Sequence, residues 1–100
     1  MRQVDREMVS AVIDVRPWSN GNTRVDPDPN GTNECHIYLH GNLIATAWGG
    51  VGWVGNLEVE VDTLKRWPTN TTINRLRALG ADIRVDRKKV FLNNEFVVER

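Results

Sequence analysis

Residues 35–48 read Cys35-His36-Ile37-Tyr38-Leu39-His40-Gly41-Asn42-Leu43-Ile44-Ala45-Thr46-Ala47-Trp48. Ile37 and Leu39 alternate with His36, Tyr38 and His40, the period of two that a half-buried strand shows. His40-Gly41-Asn42 supplies turn residues, and Leu43 to Trp48 reads as the returning strand. A tight turn between two such runs gives antiparallel pairing, because a parallel pair needs a long crossover.

The flanking sequence extends this hairpin on both sides. Val4, Met8, Ala11, Val12 and Val15 recur at helical spacing and Pro17 forbids continuation, which predicts a helix over about residues 4–15. Trp18 to Asn22 reads as a turn, Thr23-Arg24-Val25 as a short strand, and Asp26 to Asn33 as a loop. Leu57, Val59 and Val61 alternate with Glu58, Glu60 and Asp62, predicting a strand with an acidic outer face. Thr69 or Asn70 caps a second helix carrying Ile73, Leu76 and Leu79, stopped by Gly80. Ile83 and Val85, the turn Arg87-Lys88-Lys89, and Val90 to Leu92 form a last hairpin. Asn93-Asn94 then turns into Phe96-Val97-Val98. The fold class is therefore α+β in the order α-β-β-β-β-α-β-β: a small, mostly antiparallel sheet of about five to six strands with two helices packed on it.

The 100 residues suit a single domain spanning 1–100, and 40% hydrophobic with 26% charged residues is a globular composition. No apolar run approaches the ~18 residues a membrane span needs. Met1 to Glu7 alternates in charge and lacks the apolar stretch of a signal peptide. The single cysteine, Cys35, has no partner for an internal disulfide. These features lead us to expect a cytoplasmic protein. Net charge is zero but polarised: residues 1–62 carry four basic and nine acidic side chains, residues 63–100 nine basic and four acidic. Such asymmetry marks either a face for nucleic acid or halves that neutralise each other.

No motif amounts to a reaction centre. Gly50-Val51-Gly52-Trp53-Val54-Gly55 matches G-x-G-x-x-G, but the helix that would hold a pyrophosphate is replaced by an expected strand. Asp26, Asp28, Asn30 and Glu34 resemble part of a calcium loop, yet its twelfth position is Ile37 rather than a bidentate glutamate. Cys35, His36 and His40 are three ligand types where a structural zinc site wants four, and Cys35 faces away from both histidines. Glu58, Glu60 and Asp62 lie on an open strand face, unlike the divergent environments of an acid–base pair. We therefore expect no enzyme, no cofactor and no metal.

Two binding surfaces are expected instead. Trp53, in its glycine-rich loop, is either an interface anchor or a loop plug; with Trp48, Tyr38 and His40 of the adjacent sheet face it makes a protein-docking candidate. Arg75 and Arg77 on the second helix, with Arg84, Arg87, Lys88 and Lys89 of the hairpin, make a nucleic-acid candidate if they share one face.

Several stretches in combination resemble small accessory proteins of tailed bacteriophages and prophages. They are Asn22-Thr23-Arg24-Val25, Tyr38 to Ala45, Thr71-Thr72-Ile73-Asn74-Arg75-Leu76-Arg77-Ala78-Leu79 and Val90-Phe91-Leu92-Asn93. The resemblance spans about residues 18–94 and leaves out the first helix and the Trp53 loop. It brings no catalytic residues. It implies the cytoplasm of a bacterial host and a role in binding and blocking a host protein, defence components included; oligomeric state stays open, a homodimer among the options.

Overall fold

The computed structural model describes residues 2–50 and 56–100. The chain runs α1 (Gln3–Asp14), β1 (Trp18–Asn20), β2 (Thr23–Pro27), β3 (Glu34–Leu39), β4 (Asn42–Trp48), β5 (Leu57–Val59), α2 (Val61–Arg66), α3 (Asn70–Ala78), β6 (Ile83–Asp86), β7 (Lys89–Leu92) and β8 (Glu95–Glu99). The first five strands form one antiparallel meander in sequence order and the last three form a second. The α+β class holds: the described residues form eight strands in two sheets and three helices, one helix more than expected. Among the described residues no helix is long and apolar enough to cross a membrane.

The central hairpin forms as its sequence dictates. Along β3, Cys35, Ile37 and Leu39 are buried while Glu34, His36 and Tyr38 are half-exposed, so Cys35 does face away from His36. His40 and Gly41 both take positive φ, 51° and 79°, as a two-residue type I′ turn requires. The register shifts between Ile37 and Tyr38, a bulge that leaves Tyr38 opposite Leu43 on the outer face.

Met8, Ala11 and Val12 of α1 pack into one core with Val25, Cys35, Ile37, Ala45 and Ala47 of the larger sheet. Small residues on the strands let the helix approach closely, and Gly49 marks the limit. A β-carbon there would be driven into the Val12 carbonyl oxygen. Ile73, Leu76 and Leu79 of α3 join the same core, as do Ile83 and Val90 of the second sheet. Thr69 caps α3, its Oγ1 accepting the Thr72 N–H at 3.2 Å, and Gly80 at φ 104° ends it.

Three local expectations are corrected. Trp18 to Asn20 is a strand, not a turn: Trp18 pairs with Val25 and only Gly21-Asn22 turns. The strand expected through Val61 ends at Val59, because the Glu60 N–H still bonds the Ile44 carbonyl while the Glu60 carbonyl accepts from Leu64 and opens α2. Leu57 and Val59 pack against the core and Glu58 is exposed as expected, but Val61 is helical and Glu60 half-buried. Trp67, whose place beside Pro68 at a helix boundary leads us to expect it in or at the edge of the core, is 41% exposed.

Candidate functional site

The expected basic face does not assemble. The Arg75 guanidinium is 5% exposed: its Nη1 donates to Asp5 Oδ1 at 2.8 Å and its Nε to Thr23 Oγ1 at 3.1 Å. It ties α3 to α1 and β2 and is closed to phosphate. Each helix carries a signal of this. Asp5 lies three residues before Met8 on the buried stripe of α1, and Arg75 three after Thr72 and four before Leu79 on that of α3. An acid on one inner stripe and a base on another find each other, because either alone would be a costly buried charge. Arg77 is exposed but its Nε donates to the Ile83 carbonyl at 3.0 Å.

The remaining cations, Arg84, Arg87, Lys88 and Lys89, lie in the β6–β7 hairpin. Arg84 pairs with Phe91 and Phe91 with Phe96 across three strands, so the three share one face. Ile83, Val85, Val90, Leu92 and Val98 occupy the opposite, core-facing side. Arg84 Cζ stands 4.3 Å above the Phe91 ring, and Phe96 meets Phe91 edge-on with centroids 6.0 Å apart. Phe96 is 57% exposed. Beside this strip runs a charged row, Asp86–Lys89–Glu99, with Asp86 also 3.7 Å from Arg84. At the hairpin tip Arg87 and Lys88 both hold positive φ, 51° and 68°, where asparagine or glycine is the usual solution. The two-residue Asn93-Asn94 turn sets Leu92 opposite Glu95 and Phe91 opposite Phe96, and the bulge between Val90 and Phe91 then brings Val98 opposite Val90. The strip was missed in the sequence because it takes the register of all three strands to bring its residues together.

The docking candidates are dispersed. Tyr38 and Trp48 lie on the outer face of the larger sheet, Trp48 opposite Glu34 and Tyr38 opposite Leu43, roughly 13 Å apart at 3.3 Å per residue. Arg24 covers Tyr38 with its Cζ 4.4 Å from the ring centroid, and bonds Asp26 at 2.8 Å. Trp53 and most of the glycine motif lie outside the described residues. His40 is elsewhere, at the β3–β4 turn.

There it borders a groove of about 450 Å³ between that turn and the α2–α3 link. Buried Leu39 and Ile44 form the floor, Trp67 a wall, and Thr63, Thr69, Thr71 and Thr72 offer hydroxyls; Asn42 stands beside His40. Among the described residues no acidic or basic residue other than His40 lines it.

The calcium-like residues turn to separate partners. Asp26 is held by Arg24, Glu34 lies 2.8 Å from His36 Nε2, and Asp28 accepts the Asn30 N–H at 3.1 Å and the Thr32 hydroxyl at 2.7 Å. Those two hydrogen bonds, Thr32 first, hold the Asp28 carboxyl below the usual aspartate range. Burial, helped by the Glu34 charge, pushes the Cys35 thiol up. Among the described residues no three histidine, cysteine, aspartate or glutamate side chains converge as a metal site would require.

The fold and these surfaces define a small α+β protein with an exposed aromatic strip on one sheet and a groove beside the other. The family model described as Kyanoviridae Gp96 protein matches residues 1–98, and the chain belongs to that family of phage proteins. The match takes in the first helix and the Trp53 loop, which the resemblance drawn from sequence left out. No curated protein and no solved structure matches the chain.

Proposed function

We propose that this phage accessory protein acts without catalysis, by docking on a protein of the infected cell through the Arg84–Phe91–Phe96 strip. The observation that carries the reading is Phe96, 57% exposed and held edge-on by Phe91 instead of folding onto the core. Aromatic side chains and arginine dominate the energetics of protein interfaces because they bury much area with few rotamers to freeze. The flanking acids favour a protein over a nucleic acid. Asp86 lies against Arg84, and Glu99 stands opposite Lys89, so a phosphate backbone laid on this face meets repulsion as often as attraction.

A nucleic-acid reading rests on one specific feature, the Arg87-Lys88 tip. A strained αL pair of cations persists only where the surrounding structure or a function holds it. Its weight is smaller with Arg75 buried and Arg77 engaged.

The test is a pull-down from a lysate of the phage's host with the full chain, Phe96→Ala and a triple reversal of Arg87, Lys88 and Lys89 to glutamate, each checked for folding. We expect Phe96→Ala to release the captured protein and the triple reversal to retain it. Capture unaffected by Phe96→Ala but abolished by the reversal, together with retention on heparin, would transfer the function to the hairpin tip.

A further inference from the structure

The outer face of the second sheet carries its side chains in two rows across the strands. Register sets Arg84, Phe91 and Phe96 in one row over β6, β7 and β8. It sets Asp86, Lys89 and Glu99 in the next. Phe91 is half-buried and the other five are exposed. Two residues along a strand separate the rows on β6 and β7, roughly 7 Å.

This face is its own complement. A two-fold axis that lies along the face between the rows, perpendicular to the strands, turns each row of one copy onto the other row of a second. It sets Arg84 over Asp86 of the second copy and Asp86 over that copy's Arg84, so one contact makes two ion pairs. Arg84 already lies against the Phe91 ring and 3.7 Å from its own Asp86, but a guanidinium has five N–H donors and can stack and bond at once. On β7 each Lys89 brings its methylene stem to the outer rim of the second copy's Phe91, and on β8 each Glu99 comes to Phe96. Past the rows, the Arg87-Lys88 tip comes level with Asp82 of the second copy. Strand pairing reaches that residue, since the Asn93 N–H bonds the Asp82 carbonyl, and alternation puts Asp82 on the side of Arg84. An axis along β7 would instead set Lys89 on Lys89 and Asp86 on Glu99. The charges thus select one of the two aligned ways of stacking the face on itself.

We propose that a second copy of this chain docks here, forming a two-fold dimer through the outer face of β6–β8. The contact is small. Three strands about 4.8 Å apart make a face only about 10–15 Å wide, short of the ~800 Å² per protomer of a standard interface. The dimer is therefore weak and exchanging, with a dissociation constant on the order of 100 μM. It covers Phe96, so a second copy and a protein of the host exclude each other on the strip. The dimer itself does not rest on the host-docking reading.

The experiment is analytical ultracentrifugation of the purified full chain over roughly a hundredfold range of concentration centred on that value. The average mass should climb from monomer towards dimer. Arg84→Asp alone and Asp86→Arg alone each set like charges over one another, and each should weaken the dimer by about tenfold or more. Mixed one to one, the two variants should associate nearly as well as the wild type, because one copy of each restores both ion pairs. Both positions are exposed, and a proton–nitrogen NMR spectrum checks that the variants fold. An isotope-filtered NOE spectrum of mixed labelled and unlabelled wild-type chain needs no variant. It should show the Lys89 methylenes of one copy against the Phe91 ring of the other. A chain that stays monomeric throughout, single variants that dimerise like the wild type, a mixture no stronger than its components, or a filtered spectrum without that contact would each overturn the assignment. Only purified chain is used, so failure here leaves capture from the host lysate standing, and a failed capture leaves the dimer standing.

Discussion

Arg75 and Arg84 sit nine positions apart in one basic stretch and meet opposite fates. The first lies in a sealed seam where α1, α3 and β2 meet; the second lies on the open face of a three-stranded sheet. In the seam each polar group answers another: Asp5 to Arg75, Arg75 to Thr23, Thr23 to Asn22. Among the described residues no buried side-chain nitrogen or oxygen lacks a partner. On the open face the same guanidinium chemistry lies over an aromatic ring beside a carboxylate, with water to share the load. A charge in sequence is thus not yet a surface charge. What decides is whether the residue falls on the buried stripe of its helix, where only a paired ion is tolerated.

The comparison breaks first in the seam. Asp5→Ala leaves the Arg75 guanidinium buried without its counter-ion, and should cost about 3–5 kcal/mol in chemical denaturation. That is a large share of a typical domain's stability. Adding Arg75→Met should return part of the loss, since an apolar pair of similar shape carries no stranded charge. A single variant that unfolds at the wild-type midpoint would show the ion pair to be dispensable. If the chain is one cooperative domain, as its length suggests, the loss should appear as one shifted transition and not as the melting of half the molecule.

Next comes the packing that encloses the seam's helix. Gly49→Ala would push a methyl group into the Val12 carbonyl, and should destabilise by about 2–3 kcal/mol as α1 is forced off the sheet. An equal substitution at Gly31, where an added β-carbon meets nothing, separates this contact from the general effect of losing a glycine. The Gly31 control carries its own strain at φ 73°, so the informative quantity is the excess at Gly49.

How much of this could be read beforehand depends on the length of pattern available. The β3–β4 hairpin gave two runs around a glycine turn, and α3 gave a cap, an apolar stripe and a glycine stop; each signal agreed with the others. β1 is three residues long and its Trp18-Ser19-Asn20 has turn-like composition, so only pairing with β2 makes it a strand. α2 was hidden by degeneracy: Val59, Val61 and Leu64 fit alternation up to Val61 and helical spacing from there. The Ile44–Glu60 hydrogen bond decides where one gives way to the other. Surfaces were harder still. The Arg84–Phe91–Phe96 strip needs the register of three strands at once, and the groove unites a strand turn with a helix link about 27 residues further on in the chain.

The open sheet should respond weakly to the loss of its charges and favourably to the relief of its turn. Lys88→Gly removes a side chain from a positive-φ position, φ 68°, in a two-residue turn, and should stabilise by about 1 kcal/mol. If stability instead falls, the Lys88 side chain makes a contact in solution that offsets the strain. Arg84→Ala should move stability by no more than about 0.5 kcal/mol, because an exposed ion pair at 3.7 Å contributes little. A loss comparable to that of Asp5→Ala would erase the distinction between the two regions.

The smallest effect belongs to a third kind of charge, half-buried at the surface and fully engaged. Asp28 makes its two bonds within its own loop, to the Asn30 N–H and the Thr32 hydroxyl. Both are donors that favour the carboxylate, so its folded pKa falls below the ordinary 3.8. The sign follows from linkage: an acid whose pKa is lower when folded contributes stability above its unfolded pKa, and that contribution is lost as pH falls through the folded value. The window is therefore acidic, below about pH 4, and the group's exposure to solvent keeps the effect small. A carboxyl-detected NMR titration should place the Asp28 midpoint below the ordinary aspartate value of 3.8. Thr32→Ala should raise that midpoint most, because the hydroxyl bond is the larger cause. An Asp28 midpoint at the ordinary aspartate value, unmoved by Thr32→Ala, would mean that the loop's hydrogen bonds do not persist in solution.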